Sequence, residues 1–170
     1  MMATLVVTVI GDDRLGIVED LSRLVREAGG NWLNANLGRL AGKFAGIIEV
    51  ELPATAVAPL QQQLASLAGL QISCHQGHSG GSDHSQPLQL RVTGNDRPGI
   101  VAEITAALRS GGANILQLES RRDSAPNWGS PLFVLELTVA PGVDTSAAAL
   151  IEQLEAVADD LMVDQLDTVR

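Results

Sequence analysis

The chain has 170 residues, 45% of them apolar and 18% charged, which suits one globular domain or two small ones and argues against intrinsic disorder. Its formal net charge is −9, from 20 acidic against 11 basic residues, and no basic run exceeds Arg121-Arg122. Nucleic-acid backbones attract Lys and Arg and repel such a surface, so direct DNA or RNA binding is not expected.

The first apolar run, Met1-Met2-Ala3-Thr4-Leu5-Val6-Val7, has no basic segment ahead of it and is ended early by Asp12 and Asp13, so it does not read as a signal peptide. Ile17, Val18, Leu21, Leu24, Val25 and Ala28 then recur at helical spacing, and Gly29-Gly30 stop that helix. Strands are expected at about 31–40 and 43–52 around a turn at Ala41-Gly42, followed by a helix carrying Val57, Leu60, Leu64 and Leu67. A short strand near 70–75 closes this unit. The polar, Gly- and Ser-rich run Gly77-His78-Ser79-Gly80-Gly81-Ser82-Asp83-His84-Ser85 reads as a linker, placing a first domain at 1–77, the linker at 78–86 and a second domain at 87–170.

Beyond it, Leu88, Leu90 and Val92 alternate with Gln89, Arg91 and Thr93, the period of a half-buried strand. Ile100, Val101, Ile104 and Leu108 predict a helix that stops at Gly111-Gly112. Strands at about 114–123 and 131–139 follow, joined by residues 124–129. A helix with Leu150, Ile151, Leu154 and Val157 and a strand near 161–168 complete the chain.

The two halves repeat at an offset of 83. Gly11-Asp12-Asp13-Arg14-Leu15-Gly16-Ile17-Val18 lines up with Gly94-Asn95-Asp96-Arg97-Pro98-Gly99-Ile100-Val101; Arg26, Gly29, Asn31 and Leu33 meet Arg109, Gly112, Asn114 and Leu116. The element order βαββαβ, twice, is an α+β class reading: two tandem ferredoxin-like modules, each an antiparallel four-stranded sheet with helices on one face. Modules of roughly 80 residues have marginal cores. Ile47 and Val134 fall on the uncovered sheet faces, so the modules are expected to pack on one another and on a second chain as a homo-oligomer.

In each half a Gly-[Asp/Asn]-Asp-Arg-x-Gly loop feeds a helix N-terminus, where free amides and the helix dipole favour an anion. Asp13 and Asp96 offer a carboxylate to an ammonium, so the loop suits a zwitterion. A plainer reading stands beside it: Asp is a common helix N-cap, Pro98 suits a first helical turn, and Asn31 and Asn114 suit turns after glycine.

The segment Gly94-Asn95-Asp96-Arg97-Pro98-Gly99-Ile100-Val101 with Gly112-Ala113-Asn114-Ile115 resembles the signature of ACT domains, βαββαβ regulatory modules that typically bind amino acids at interfaces between paired domains. Two such modules with no attached enzyme resemble the glycine cleavage system transcriptional repressor family in particular. The resemblance implies ligand contacts at Asp96, Asn114 and the backbone of Pro98, Gly99 and Ile100, and in the first half at Asp13, Asn31, Leu15, Gly16 and Ile17. Leu15 stands where the pattern has Pro, which leaves the first loop less constrained. The implied function is an amino-acid-responsive regulator, with glycine or serine as ligand and a protein partner such as a DNA-binding regulator. The alternatives are a regulatory subunit docking on a metabolic enzyme and a small hydrolase or transferase.

Other chemistries have less to stand on. Base stacking would need aromatic residues on the central strands, which offer little beyond Phe44 and Phe133. Cys74, His75, His78 and His84 cluster but match no closed four-ligand pattern, and no Cys-x-x-Cys loop occurs, so no metal is expected. Arg14 and Arg97 read as solvated loop residues or anion clamps, and Arg121-Arg122 as an exposed strand end. Glu19-Asp20 and Asp159-Asp160 read as helix surface. Without a nucleophile, base and orienting group, neither catalysis nor a cofactor is expected. No apolar stretch approaches the roughly 18–20 residues of a membrane span. Together with the single Cys74, these features lead to an expectation of a cytoplasmic protein.

Overall fold

The computed structural model describes residues 1–78, 86–124 and 130–166 and divides into two compact units, Met1–Gly81 and Ser82–Arg170. The first contains β1 (Met2–Asp12), α1 (Ile17–Glu27), β2 (Asn31–Leu40), β3 (Lys43–Pro53), α2 (Val57–Ala65) and β4 (Leu70–Gln76). Its sheet runs β2-β3-β1-β4, with antiparallel neighbours throughout. The second repeats the plan with β5 (Leu88–Asn95), α3 (Ile100–Ser110), β6 (Asn114–Asp123), β7 (Leu132–Ala140), α4 (Ala147–Glu155) and β8 (Met162–Leu166), in the order β6-β7-β5-β8. Both modules therefore have the expected βαββαβ fold.

Alternation along the inner strands builds each core. Leu5, Val7 and Val9 of β1 and Ile48, Val50 and Leu52 of β3 turn to the helices, where Ile17, Leu21, Leu24 and Val25 of α1 and Leu60 and Leu64 of α2 meet them. The second core repeats this with Leu90, Val92, Ile100, Ile104, Leu108, Leu135, Leu137, Leu150 and Leu154. Burying apolar surface of this kind contributes about 25 cal/mol per Å².

The helices between β3 and the last strand are shorter than their apolar spacing predicts. α2 ends at Ala65 and α4 at Glu155, so Leu67 and Val157 lie beyond them, although both still pack on their cores. At the first of these ends the Ser66 hydroxyl donates to the Gln63 carbonyl and the Leu67 amide to that of Leu64, tightening the last turn. On the sheet faces away from the helices, Ile47 is exposed as expected, but Val134 is buried.

Those two open faces differ in chemistry. In the second module Arg91 of β5, Glu136 of β7 and Arg121 of β6 form a chain of ion pairs, with Nη2–Oε1 3.0 Å and Nη1–Oε1 3.3 Å, and Arg121 also meets Asp123. By repeat and register the first module has Thr8, Ile47 and Gly38 at the matching positions. Hydrogen bonds from Arg121 and then Arg91 hold the Glu136 carboxyl below the usual carboxylate range. A depressed pKa contributes stability above the unfolded value and loses it as pH falls through the folded one. Glu136 is thus expected to titrate at lower pH than the same group in Arg91→Gln, followed by side-chain carboxyl NMR; identical midpoints would dismiss the coupling.

Candidate functional site

Both signature loops leave the sheet at the same place, the carboxyl end of the central strand. β1 ends at Asp12 beside Lys43, and β5 ends at Asn95 beside Leu132. The loop backbone is then tied to the residue that precedes β3 or β7: the Asp13 amide donates to the Gly42 carbonyl at 3.0 Å, and the Asp96 amide to that of Pro131 at 2.8 Å.

Neither Asp is a helix cap. The N-caps are Gly16 (φ 85°) and Gly99 (φ 89°), left-handed positions that favour glycine, and neither helix start has a side-chain cap. Among the described residues, the amides of Gly16, Val18 and Glu19 donate to no protein acceptor, and nor do those of Gly99, Val101 and Ala102. All six residues are exposed. A side chain added at Gly16 would meet nothing within 4 Å. The donors the loops were expected to offer are open. Leu15 and Pro98 are exposed beside them, whereas the side chains of Ile17 and Ile100 belong to the cores, leaving only their backbone to a ligand.

The aspartates are held from the edge strand. Arg39, near the end of β2, places Nη1 3.2 Å from Asp13 Oδ2, and Arg122, near the end of β6, places Nη2 2.7 Å from Asp96 Oδ2. The sequence reading missed both arginines as partners of the loop, although the same offset of 83 relates Arg39 to Arg122. A second pair fastens each loop to its helix: Arg14 to Asp20 at 3.0 Å, and Arg97 to Glu103 through both guanidinium nitrogens. Arg14 and Arg97 are therefore occupied rather than free to clamp an anion. The bond from Arg97 holds the Glu103 carboxyl below its ordinary range and raises the guanidinium.

Asn31 and Asn114 are not brought to these loops. Asn31 begins β2 opposite Glu51, and Asn114 begins β6 opposite Ala140, eight register steps from Lys43 and Leu132 at the loop end of each sheet. At about 3.3 Å per residue, this is roughly 26 Å along the strand. Within one module the acid and the amide sit at opposite ends of the sheet.

Other candidates separate as well. Cys74 pairs with Val7 on the helix side of β4, while its neighbour His75 points to the other face, so adjacent residues of one strand do not converge on a metal. Burial pushes the Cys74 thiol up. His84 and most of the expected linker lie outside the described residues. A hollow of ≈ 400 Å³ lies on the open face of the first sheet, against Val6, Asn34, Ile47 and Glu49, away from the loop. No helix is long and apolar enough to cross a membrane among the described residues.

A family model described as the ACT domain matches residues 3–75 and 86–121. No curated protein shows significant similarity to the chain. Among solved structures, an unknown protein from Galdieria sulphuraria is 32% identical, with a TM-score of 0.84 over 98% of this chain and 100% of that one. A protein provisionally named a glycine cleavage system transcriptional repressor is 16% identical, with a TM-score of 0.72 over 99% of both chains. At that identity the likeness is one of fold.

Proposed function

The chain belongs to the ACT domain family, as a tandem pair of such modules, and from that premise we propose that it is an amino-acid-responsive regulatory protein rather than an enzyme. One observation carries the reading: in each module an aspartate held by an edge-strand arginine is followed, within the same loop, by helix-start amides with no protein acceptor among the described residues. Peptide amides favour a carboxylate and Asp96 or Asp13 an ammonium, so the ligand class is a free amino acid. Glycine and serine are the ligands we expect, by resemblance to the glycine cleavage system transcriptional repressor family.

Since Asn31 and Asn114 stand far from the loop of their own module, they contribute only if a partner module brings its Asn end to that loop. β2 and β6 are the edge strands on which such pairing would occur. Their unpaired backbone groups are an available template. The regulated target is a protein, such as a DNA-binding regulator, since a net charge of −9 opposes direct contact with nucleic acid.

A thermal-shift screen over the free amino acids tests this. At 100 times its Kd a ligand adds about 2.7 kcal/mol of stability, and that gain is expected to vanish in Asp96→Ala combined with Asp13→Ala. The unliganded double variant should lose only about 0–1 kcal/mol per exposed pair. Stabilisation by no amino acid would end the sensor reading.

A further inference from the structure

We infer that Arg39 and Arg122 read the ligand's carboxylate, so that each Asp–Arg pair is a ready-made receptor for both ends of an amino acid. This rests on the amino-acid reading above and says which side chains provide its specificity.

The arginines near the loops differ in how fully they are occupied. Arg97 spends both terminal nitrogens on Glu103. Among the described residues, Arg122 touches Asp96 through Nη2 alone, and Arg39 touches Asp13 through Nη1 alone. Against those residues each guanidinium keeps most of its five-donor fork, and each aspartate keeps Oδ1. Exposure divides the same way: the arginine side chains are 71% and 67% exposed, the aspartates 29% and 23%. The acid is the seated partner and the arginine the reachable one. An ammonium on Oδ1 would lie beside a guanidinium face that suits a carboxylate.

The helix start alone is a poorer carboxylate reader here. Its first turn carries Asp20 in α1 and Glu103 in α3, whose negative charge opposes an incoming anion and is offset by Arg14 and Arg97. A further cation from the strand side balances the site.

Comparison of the two modules adds independent weight. Their open sheet faces have diverged, with Arg91, Glu136 and Arg121 standing where Thr8, Ile47 and Gly38 stand. The loop pairs have not: Asp13–Arg39 and Asp96–Arg122 occupy the same places. An exposed ion pair contributes only about 0–1 kcal/mol to folding, so stability is a weak reason for both copies to keep it.

The test compares glycine and serine with glycinamide and serinamide, which keep the ammonium and lose the carboxylate charge. Binding is measured by calorimetry on the full chain and on Arg39→Gln/Arg122→Gln, with Arg39→Lys/Arg122→Lys as a second variant that keeps the charge. In the parent the acid is expected to bind at least about tenfold more tightly than its amide. That ratio should collapse toward one in the Gln variant and recover in part in the Lys variant. If the Gln variant weakens acid and amide equally, or leaves the ratio intact, the arginines only brace the loop and the inference is overturned while amino-acid sensing stands. If the parent binds no amino acid at all, the sensing reading falls and this one with it.

Discussion

Replacing Ile104 by alanine is expected to remove about 2–5 kcal/mol of stability, a large part of the roughly 5–15 kcal/mol that a small domain possesses. Ile104 is fully buried on α3, within a core that also contains Leu90, Leu108, Leu135 and Leu150. The substitution deletes apolar surface and leaves a cavity that these strand and helix side chains cannot easily close, because both elements are held by their own backbone ladders. Denaturant unfolding should show the midpoint falling with little change in slope. A loss under about 1 kcal/mol would mean that the core relaxes into the space and is looser than its burial indicates.

Gly46→Val should be nearly as costly, for the opposite reason. Gly46 lies on the helix side of β3, opposite Leu37 of β2. A Cβ built there would stand 2.2 Å from the Asn36 carbonyl oxygen and 2.6 Å from a Leu37 methyl. The leucine can turn aside, but the carbonyl belongs to the neighbouring strand and cannot move without opening the β2–β3 ladder. Overpacking of this kind typically costs about 1–3 kcal/mol, and backbone contact puts it at the upper end. Gly38→Ala is the control: a Cβ there meets nothing within 4 Å, so a change within about 0.5 kcal/mol is expected. Equal losses at the two positions, read by thermal and chemical unfolding, would refute the steric account.

Much of the fold was legible because one physical signal recurs in both halves. Alternation at Leu88, Leu90 and Val92, and the helical stripe Ile17, Leu21, Leu24 and Val25, each select the face that the cores bury. The early ends of α2 and α4 were not legible. Leu67 and Val157 continue an apolar period, and it is hydrogen bonding in the last turn that ends each helix before them.

The site was read less completely. The loop stood out because its glycines and aspartates are contiguous, yet its role as a possible cap disappeared once Gly16 and Gly99 took the capping position. Arg39 was not singled out and Arg122 read only as part of an exposed strand end, because their partners lie a helix and a strand earlier; local spacing carries no trace of such a contact. The placement of Asn31 and Asn114 depends on strand direction, since α1 and α3 carry the chain back to the other end of the sheet before β2 and β6 begin.

That placement has a consequence in dilute solution. If the amide also meets the ligand, a module with its acid–arginine pair at one extremity and its amide at the other is the weaker socket when it stands alone. Laid head to foot with a module of another chain, each would lend its amide to the other's pair. Affinity should then decline when dilution separates the chains, even with the small molecule held in excess.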